Sequence, residues 1–138
     1  MIYCDHHIEK AIKDGRLYVE PAPDGDQYDS STLNLRVGDD FRVWKAALRR
    51  KATSHFIDLD NIELNDLIEF TDPLHVNDKG FVVIEPNAFV LVRTLEYIRL
   101  PLKSKLAARV EGRSKMARLG LTAHITAPTI HAGFFSMR

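Results

Sequence analysis

Three basic residues surround a short predicted helix near the end of the 138-residue sequence. Arg113, Lys115 and Arg118 lie in the segment 111–121, EGRSKMARLGL. We expect Ser114 to cap this helix and Gly120 to end it. The first backbone N–H groups of a helix lack partners and carry partial positive charge, so they favour an anion. Arginine grips phosphate oxygens through two parallel hydrogen bonds, and lysine adds a compact charge.

This group of cations predicts a binding site for a di- or triphosphate. The residue types alone leave an alternative open, because a capped surface helix with ordinary basic residues would show the same pattern. Glu111 comes just before the cations. We expect it at a strand end or in an ion pair.

Longer runs in the sequence are more specific than the cations. Segment 112–121 (GRSKMARLGL) is followed by segment 124–134 (HITAPTIHAGF). Near the other end stand Cys4-Asp5, Ile8-Glu9, segment 15–17 (GRL) and segment 33–38 (LNLRVG). In these runs the sequence resembles the dCTP deaminase branch of the dUTPase-like superfamily, from one end of the chain to the other.

The resemblance implies a fold and an activity. The fold would be mainly β, a distorted β-barrel of the β-clip type with a short N-terminal helix and a short helix after the phosphate motif. Residues 1–138 would form a single domain, assembled as a homotrimer with active sites at subunit interfaces. The activity would be hydrolytic deamination of dCTP to dUTP by a metal-free water attack at C4, with Mg²⁺ bound to the triphosphate.

The resemblance also assigns roles to residues of both motifs. Arg113, Ser114 and Arg118 match the phosphate-binding residues, and Ser114 matches the serine that helps to order the attacking water. Ala127 matches the alanine beside the base and the water. The catalytic set is Ser114, Arg118 and Ala127. The substrate-binding set is Arg113, Ser114, Lys115, Arg118, Thr126, Ala127, Ile130 and His131.

The sequence departs from the family pattern at three places. Lys115 replaces a second serine, which exchanges a neutral hydroxyl for a charge. His131 stands where many members place an aspartate that contacts the deoxyribose hydroxyl, and histidine can still donate or accept there. The general-base glutamate follows Gly133-Phe134 in the family, and the chain ends at Arg138 before it. We therefore expect the C-terminal strands and tail to be absent and catalysis by these 138 residues to be impaired.

Zinc-dependent deamination requires a different pattern. Zinc deaminases carry His-x-Glu followed by Pro-Cys-x-x-Cys. His7-Ile8-Glu9 matches the first half, but Cys4 is the only cysteine, so the second half is excluded and we expect no zinc. The metal-free route needs a carboxylate within hydrogen-bonding distance of the water and the ring. The six histidines show no known ligand spacing, and no metal ligand on the protein is predicted.

Composition excludes several classes of protein. Nineteen basic and 19 acidic residues give a formal net charge of zero, which argues against a protein that coats nucleic acid. The longest apolar run, Ala88 to Val92, is far too short to span a bilayer. The N-terminus lacks the pattern of a secretory signal. We expect a cytoplasmic protein with neither nucleic acid nor membrane as a partner.

Hydrophobic patterning predicts one helix and several short strands. The helix covers residues 4–15, with Asp5 as its cap and Gly15 as its end. Strands separated by proline and glycine indicate a sandwich or barrel rather than βαβ units. We expect Phe134 and Phe135 to pack in the core or in a subunit interface. Strands are predicted at 17–20, 32–37, 41–44, 67–70, 81–84, 89–93 and 106–110, with turns at 38–40 and 77–80.

Two alternatives to the deaminase remain open at this point. One is a dUTP diphosphatase, against which the segments 118–121 and 124–127 favour the deaminase branch. The other is a nucleotide-binding or purely oligomeric protein without catalysis. In every case the partner would be a deoxypyrimidine nucleoside triphosphate or a second copy of the chain.

Overall fold

The computed structural model describes residues 1–45, 66–123 and 126–135, and these residues fall into two compact units. The first unit contains Met1–Leu35 and Glu96–Arg138, and the second contains Arg36–Leu95. The positions 46–65, 124, 125 and 136–138 lie outside the described residues, including His124 of the second motif. No helix among the described residues is long and apolar enough to cross a membrane.

The first unit combines short helices with short antiparallel strands. Its strands form three antiparallel pairs, Tyr18–Glu20 with Tyr97–Arg99, Tyr28–Asp29 with Thr32–Leu33, and Ala108–Arg109 with Thr129–Ile130. Its elements are α1 (Asp5–Lys13), β1 (Tyr18–Glu20), a 3₁₀ turn (Gly25–Gln27), β2 (Tyr28–Asp29), β3 (Thr32–Leu33), β7 (Tyr97–Arg99), a second 3₁₀ turn (Leu102–Ser104), β8 (Ala108–Arg109), α3 (Ser114–Arg118) and β9 (Thr129–Ile130).

Helix α1 confirms the predicted N-terminal helix. Ile8 and Ala11 are buried on one face, as the apolar spacing predicts, and Gly15 follows the helix with φ of +65°. The predicted cap was wrong by one position. Cys4 has the extended backbone of an N-cap, and Asp5 is the first helical residue.

A buried hydrogen-bond network joins distant parts of the first unit. Glu96 is 1% exposed, and its Oε1 accepts a hydrogen bond of 2.9 Å from Nε2 of Gln27. The same nitrogen donates to the carbonyl of Asn34 at 2.8 Å, while Oε1 of Gln27 accepts from the N–H of Asp24 at 3.1 Å. Buried polar groups of this kind stabilise a fold only while they keep their partners. The buried apolar side chains among the described residues also belong to the first unit, and they are Ile8, Ala11, Val19, Ile98 and Leu100.

The second unit is built on a three-stranded antiparallel sheet. Strand β4 (Val37–Trp44) lies between β5 (Thr71–Pro73) and β6 (Val90–Thr94), and a short helix α2 (Asp66–Phe70) precedes β5. The predicted strand at 41–44 is confirmed within β4, and that at 89–93 is confirmed as β6 with a shift of one residue.

The turn predicted at 38–40 was wrong, because these residues continue β4. The register between β4 and β6 shifts between Val37 and Phe41, which is a bulge rather than a chain reversal. Gly38 lies at this bulge. A Cβ built there would lie 3.2 Å from the carbonyl oxygen of Arg93. Glycine therefore allows the close approach of two backbones rather than a turn.

Replacing Gly38 by alanine is expected to destabilise the second unit by about 1–2 kcal/mol, because the new methyl group crowds a strand carbonyl. Trp44, the single tryptophan, lies in β4, so its fluorescence during urea unfolding measures the effect. Gly25 is the control position, because nothing lies within 4 Å of its built Cβ. Stabilisation by G38A, as alanine gives at unstrained positions, would contradict the argument.

Two predicted strands are absent from the structure. The apolar run 67–70 belongs to α2, and Arg42 of β4 donates to the carbonyl of Ile68 near the end of that helix, at 3.2 Å. Segment 81–84 is irregular. The N–H of Phe81 is already bonded to Oδ1 of Asn77 at 3.0 Å, and its carbonyl accepts from the N–H of Asn77 at 2.8 Å. These bonds close the predicted turn at 77–80 and occupy the N–H of Phe81, which a sheet would otherwise use.

Candidate functional site

Strands β8 and β9 bring the two sequence motifs together. Ala108 pairs with Ile130 and Arg109 with Thr129 in an antiparallel register. The pairing continues as the N–H of Val110 donates to the carbonyl of Pro128 at 2.8 Å. The phosphate motif begins two residues after Val110, so it starts beside the segment 126–131. The structure therefore pairs residues 108–110, just before the phosphate motif, with residues 128–130 of the second motif.

Helix α3 lies where the sequence predicts it, with a different cap. Arg113 has the extended backbone of the N-cap, and its side chain makes no capping hydrogen bond. Its carbonyl accepts from the N–H groups of Met116 at 2.9 Å and Ala117 at 3.0 Å. The prediction that Ser114 caps the helix was wrong, because Ser114 is already its first helical residue. Its hydroxyl makes no hydrogen bond with the described residues, which leaves it available to a ligand.

The predicted end of α3 at Gly120 is confirmed. Gly120 has φ of +86° and its N–H donates to the carbonyl of Ala117 at 3.0 Å. The N–H of Leu121 donates to the carbonyl of Met116 at 3.1 Å. These two bonds form a Schellman motif, which needs a residue that tolerates positive φ. The turn that carries the cations is therefore fixed at its C-terminal end by backbone bonds.

The three motif cations are exposed and have no acidic partner within the described parts of the chain. Arg113, Lys115 and Arg118 all lie on the surface. The neighbouring acid is already paired, since Oε1 of Glu111 lies 3.0 Å from Nε of Arg109. This pair confirms the prediction that Glu111 is an ion-pair residue. The arrangement leaves three positive charges around one turn for an anionic ligand.

Of the predicted base-binding residues, Ile130 lies in β9, and Thr126, Ala127 and His131 flank that strand in the sequence. Thr126, Ala127 and His131 are exposed and Ile130 is half-buried. Gly112, the first residue of the phosphate motif, approaches Ala123, since a Cβ built at Gly112 would lie 3.7 Å from the side chain of Ala123. A cavity of about 520 Å³ lies elsewhere, against β1 and β7. Its lining residues are Tyr18, Val19, Glu20, Tyr97 and Arg99.

The two C-terminal phenylalanines are attached through the backbone, while their rings remain on the surface. The carbonyl of Phe134 accepts from the N–H of Leu100 at 2.8 Å, and Phe135 bridges to Arg99. Phe134 is 41% exposed and Phe135 is 61% exposed. The prediction that these two rings pack in the core of the single chain is therefore wrong. Their packing in a subunit interface stays a prediction.

One side-chain cluster escaped the sequence analysis. Cys4, His6 and His7 place their donor atoms within 4.8 Å of one another at the start of α1. The sequence shows the three residues close together, but spacing that matches no known ligand pattern gave no reason to group them. Their convergence follows from the position of Cys4 at the helix cap.

Comparison with known proteins identifies the family. A family model described as dCTP deaminase-like matches residues 2–137 of the chain. This chain belongs to the dCTP deaminase-like family. The family prediction from the motifs is thereby confirmed, and the match extends over both the N-terminal helix and the two motifs.

Similar proteins with curated names agree with this assignment. The dCTP deaminase, dUMP-forming, of Methanobrevibacter smithii is 37% identical over 133 residues, which are 96% of this chain and 64% of that protein. The protein of the same name from Methanosphaera stadtmanae is 37% identical over 134 residues, or 96% of this chain and 63% of that protein. The dCTP deaminase of Pectobacterium atrosepticum is 34% identical over 138 residues, which are 97% of this chain and 68% of that protein. The chain thus spans slightly under two thirds of the length of the first two.

A solved structure confirms the fold. The crystal structure of 2′-deoxycytidine 5′-triphosphate deaminase from Agrobacterium tumefaciens superposes with a TM-score of 0.64 and 22% identity. The match covers 98% of this chain and 39% of that one. The predicted mainly β fold of the dUTPase-like β-clip type is therefore confirmed.

Proposed function

We propose that this dCTP deaminase-like protein binds dCTP and exchanges the amine at C4 of the cytosine for oxygen. Water is the second substrate, and dUTP and ammonia are the products. The observation that carries the proposal is the family match over residues 2–137, together with the names of the curated relatives. All of those names specify a deaminase, so they give no support to a dUTP diphosphatase that lacks deaminase activity.

The phosphate-binding role falls to α3 and its cap. Arg113 and Arg118 bind phosphate oxygens through paired N–H groups, and Lys115 contributes a third positive charge. The absence of acidic partners among the described residues supports this role, since an unpaired cation keeps its attraction for an incoming anion. Ser114 adds a hydroxyl at the first turn of the helix.

The chemical step takes place beside the base. Ser114 orders a water molecule, Ala127 leaves room for that water next to the ring, and Thr126 and Ile130 line the same side. His131 hydrogen-bonds the deoxyribose hydroxyl. Water adds at C4 and gives up its two protons, one to ring N3 and one to the amine, which then leaves as ammonia. Glu111, the single carboxylate in the segment 111–138, is not the base, since it pairs with Arg109.

Magnesium enters this scheme with the nucleotide. Mg²⁺ prefers oxygen ligands, and the triphosphate supplies them. The motif itself carries nitrogen cations and one hydroxyl, a donor set that suits the phosphates and not the ion. We therefore assign no Mg²⁺ ligand to the protein and no zinc to the reaction.

We also propose that the protein acts in the cytoplasm as a homotrimer with the site at subunit interfaces. Exposed apolar side chains of the first unit support an interface with other chains. Leu119 is 77% exposed and Phe135 is 61% exposed, and such surfaces mark contacts with other chains. Light scattering on the purified protein should give three times the chain mass of 15.7 kDa. A monomer would contradict the trimer without affecting the family assignment.

A dUMP-forming reaction is the second candidate. It is favoured by the two relatives at 37% identity, whose names specify dUMP as the product. In that case the protein would also cleave the bond between the α- and β-phosphates with a second water, releasing diphosphate. The same cations would stabilise the charge on that leaving group.

Product analysis separates these candidates. The protein is incubated with dCTP and Mg²⁺, and the nucleotides are resolved by anion-exchange chromatography. dUTP with ammonia supports deamination alone, whereas dUMP with diphosphate supports the second candidate. Turnover near 1 s⁻¹ or faster would show the expectation of impaired catalysis to be wrong. If the protein neither converts nor binds dCTP, the proposed function is contradicted.

A further inference from the structure

Three metal-binding side chains converge at the first turn of α1. Sγ of Cys4 lies 2.8 Å from Nδ1 of His7 and 3.1 Å from Nδ1 of His6. The centroids of the two imidazole rings are 4.1 Å apart. One sulfur and two nitrogens therefore lie within 4.8 Å of one another on the partly exposed surface of the helix start.

The helix cap brings these residues together. Cys4 is the N-cap, which makes His6 the second and His7 the third helical residue. The side chains of the N-cap and the third helical residue are neighbours in every helix, as the capping box shows. Cys4 makes no side-chain capping bond, so its sulfur is directed to the imidazoles instead.

The turn that carries the cluster is held in place by the core. Ile8 and Ala11, one and two turns further along α1, are buried. The N–H of Ile8 donates to the carbonyl of Cys4 at 3.0 Å, and the N–H of Asp5 donates to the carbonyl of Ser30 at 3.3 Å. These bonds fix the backbone from which all three donor side chains extend, so the cluster is preorganised.

We propose that Cys4, His6 and His7 bind one divalent transition-metal ion of the zinc class. Thiolate and imidazole suit Zn²⁺ and Co²⁺, whereas Mg²⁺ and Ca²⁺ prefer oxygen. Zn–S and Zn–N bonds of about 2.3 and 2.0 Å in a tetrahedron place sulfur and nitrogen about 3.5 Å apart. Small side-chain rotations open the present separations to that value. Three protein ligands leave the fourth position to water.

This site differs from the zinc site of zinc deaminases. That pattern requires two cysteines in a Cys-x-x-Cys pair, and this sequence has one cysteine. The proposed metal site is therefore compatible with the expectation that the reaction uses no zinc. The cluster belongs to the N-terminal helix, and the predicted nucleotide-binding residues all lie between 113 and 131.

Cobalt binding tests the proposal directly. The full chain is purified without a polyhistidine tag, kept reduced and titrated with Co²⁺, and its absorption is recorded. We expect one ion per chain, a thiolate-to-cobalt charge-transfer band, the visible bands of a tetrahedral ion, and displacement by Zn²⁺. Cys4→Ser should abolish the charge-transfer band. His7→Asn should weaken binding by at least about tenfold.

The matched control is His75→Asn, which removes an exposed histidine of the second unit. It should leave both the band and the affinity unchanged. Circular dichroism of each variant shows that α1 is still folded. Failure to bind Co²⁺, binding without the thiolate band, half an ion per chain, or unchanged binding in C4S would each overturn the proposal. None of these outcomes bears on dCTP binding, which is measured separately.

Discussion

Replacing Gln27 by alanine is expected to destabilise the first unit by about 3 kcal/mol. The side chain makes three hydrogen bonds, to Glu96, Asn34 and Asp24. Glu96 is 1% exposed, so water cannot replace the lost donor without opening the core. Removing the hydrogen-bond donor to a buried carboxyl group costs more folding stability than removing a hydrogen bond between two neutral groups. Urea unfolding followed by far-ultraviolet circular dichroism measures the change.

Two further variants separate the hydrogen bonds from other effects. Gln27→Glu keeps the size of the side chain but removes its donor and places a second carboxyl group beside Glu96, so it should destabilise at least as much. Asp26→Ala removes an exposed neighbour in the same 3₁₀ turn and should change stability by less than about 0.5 kcal/mol. Equal stability of Q27A and D26A would contradict the role assigned to the network.

Replacing Arg118 by alanine is expected to weaken dCTP binding by about 10- to 100-fold. The estimate is the cost of losing hydrogen bonds between an arginine and a charged phosphate, about 1.5–3 kcal/mol. Arg118 is exposed at the end of α3, and no acid among the described residues competes for it. Isothermal titration of dCTP with Mg²⁺ into wild type and R118A measures the ratio of affinities.

Lys79→Ala is the matched control for charge. Lys79 is exposed in the turn at 77–80 of the second unit, and its removal changes the net charge by the same amount. Its dCTP affinity should equal that of wild type. An equal loss in K79A and R118A would show a general effect of net charge and would contradict a specific phosphate site.

Local sequence patterns predicted the elements whose determinants are local. Apolar spacing in α1 and a glycine after α3 depend on residues within one or two turns, and both predictions are confirmed. Gly38 shows where this reasoning ends. Glycine beside two aspartates is typical of a turn, yet the reason for glycine here is the carbonyl of Arg93, more than 50 residues away. A sequence pattern carries no record of such a contact.

In the candidate site, too, the features set by neighbouring residues could be predicted and those set by distant contacts could not. Helix α3 and its end at Gly120 could be predicted because the cations and the terminal glycine lie within one short segment, although the cap is Arg113 rather than Ser114. The pairing of Arg109 with Thr129 joins two segments across a sheet, so only the fold reveals it. The cluster of Cys4 with two histidines was missed for another reason. Its geometry depends on which residue caps α1, and the sequence placed the cap at Asp5.

The most direct test of the central claim is a titration series that varies the phosphates while keeping the base. The claim is that the cations of α3 hold the charged tail of a nucleotide. dCTP, dCMP and deoxycytidine are each titrated into the same protein with Mg²⁺. We predict that affinity falls steeply from dCTP to dCMP to deoxycytidine, and that R118A reduces the difference between dCTP and deoxycytidine. Equal affinity for all three ligands, or no binding of dCTP at millimolar concentration, would contradict the account.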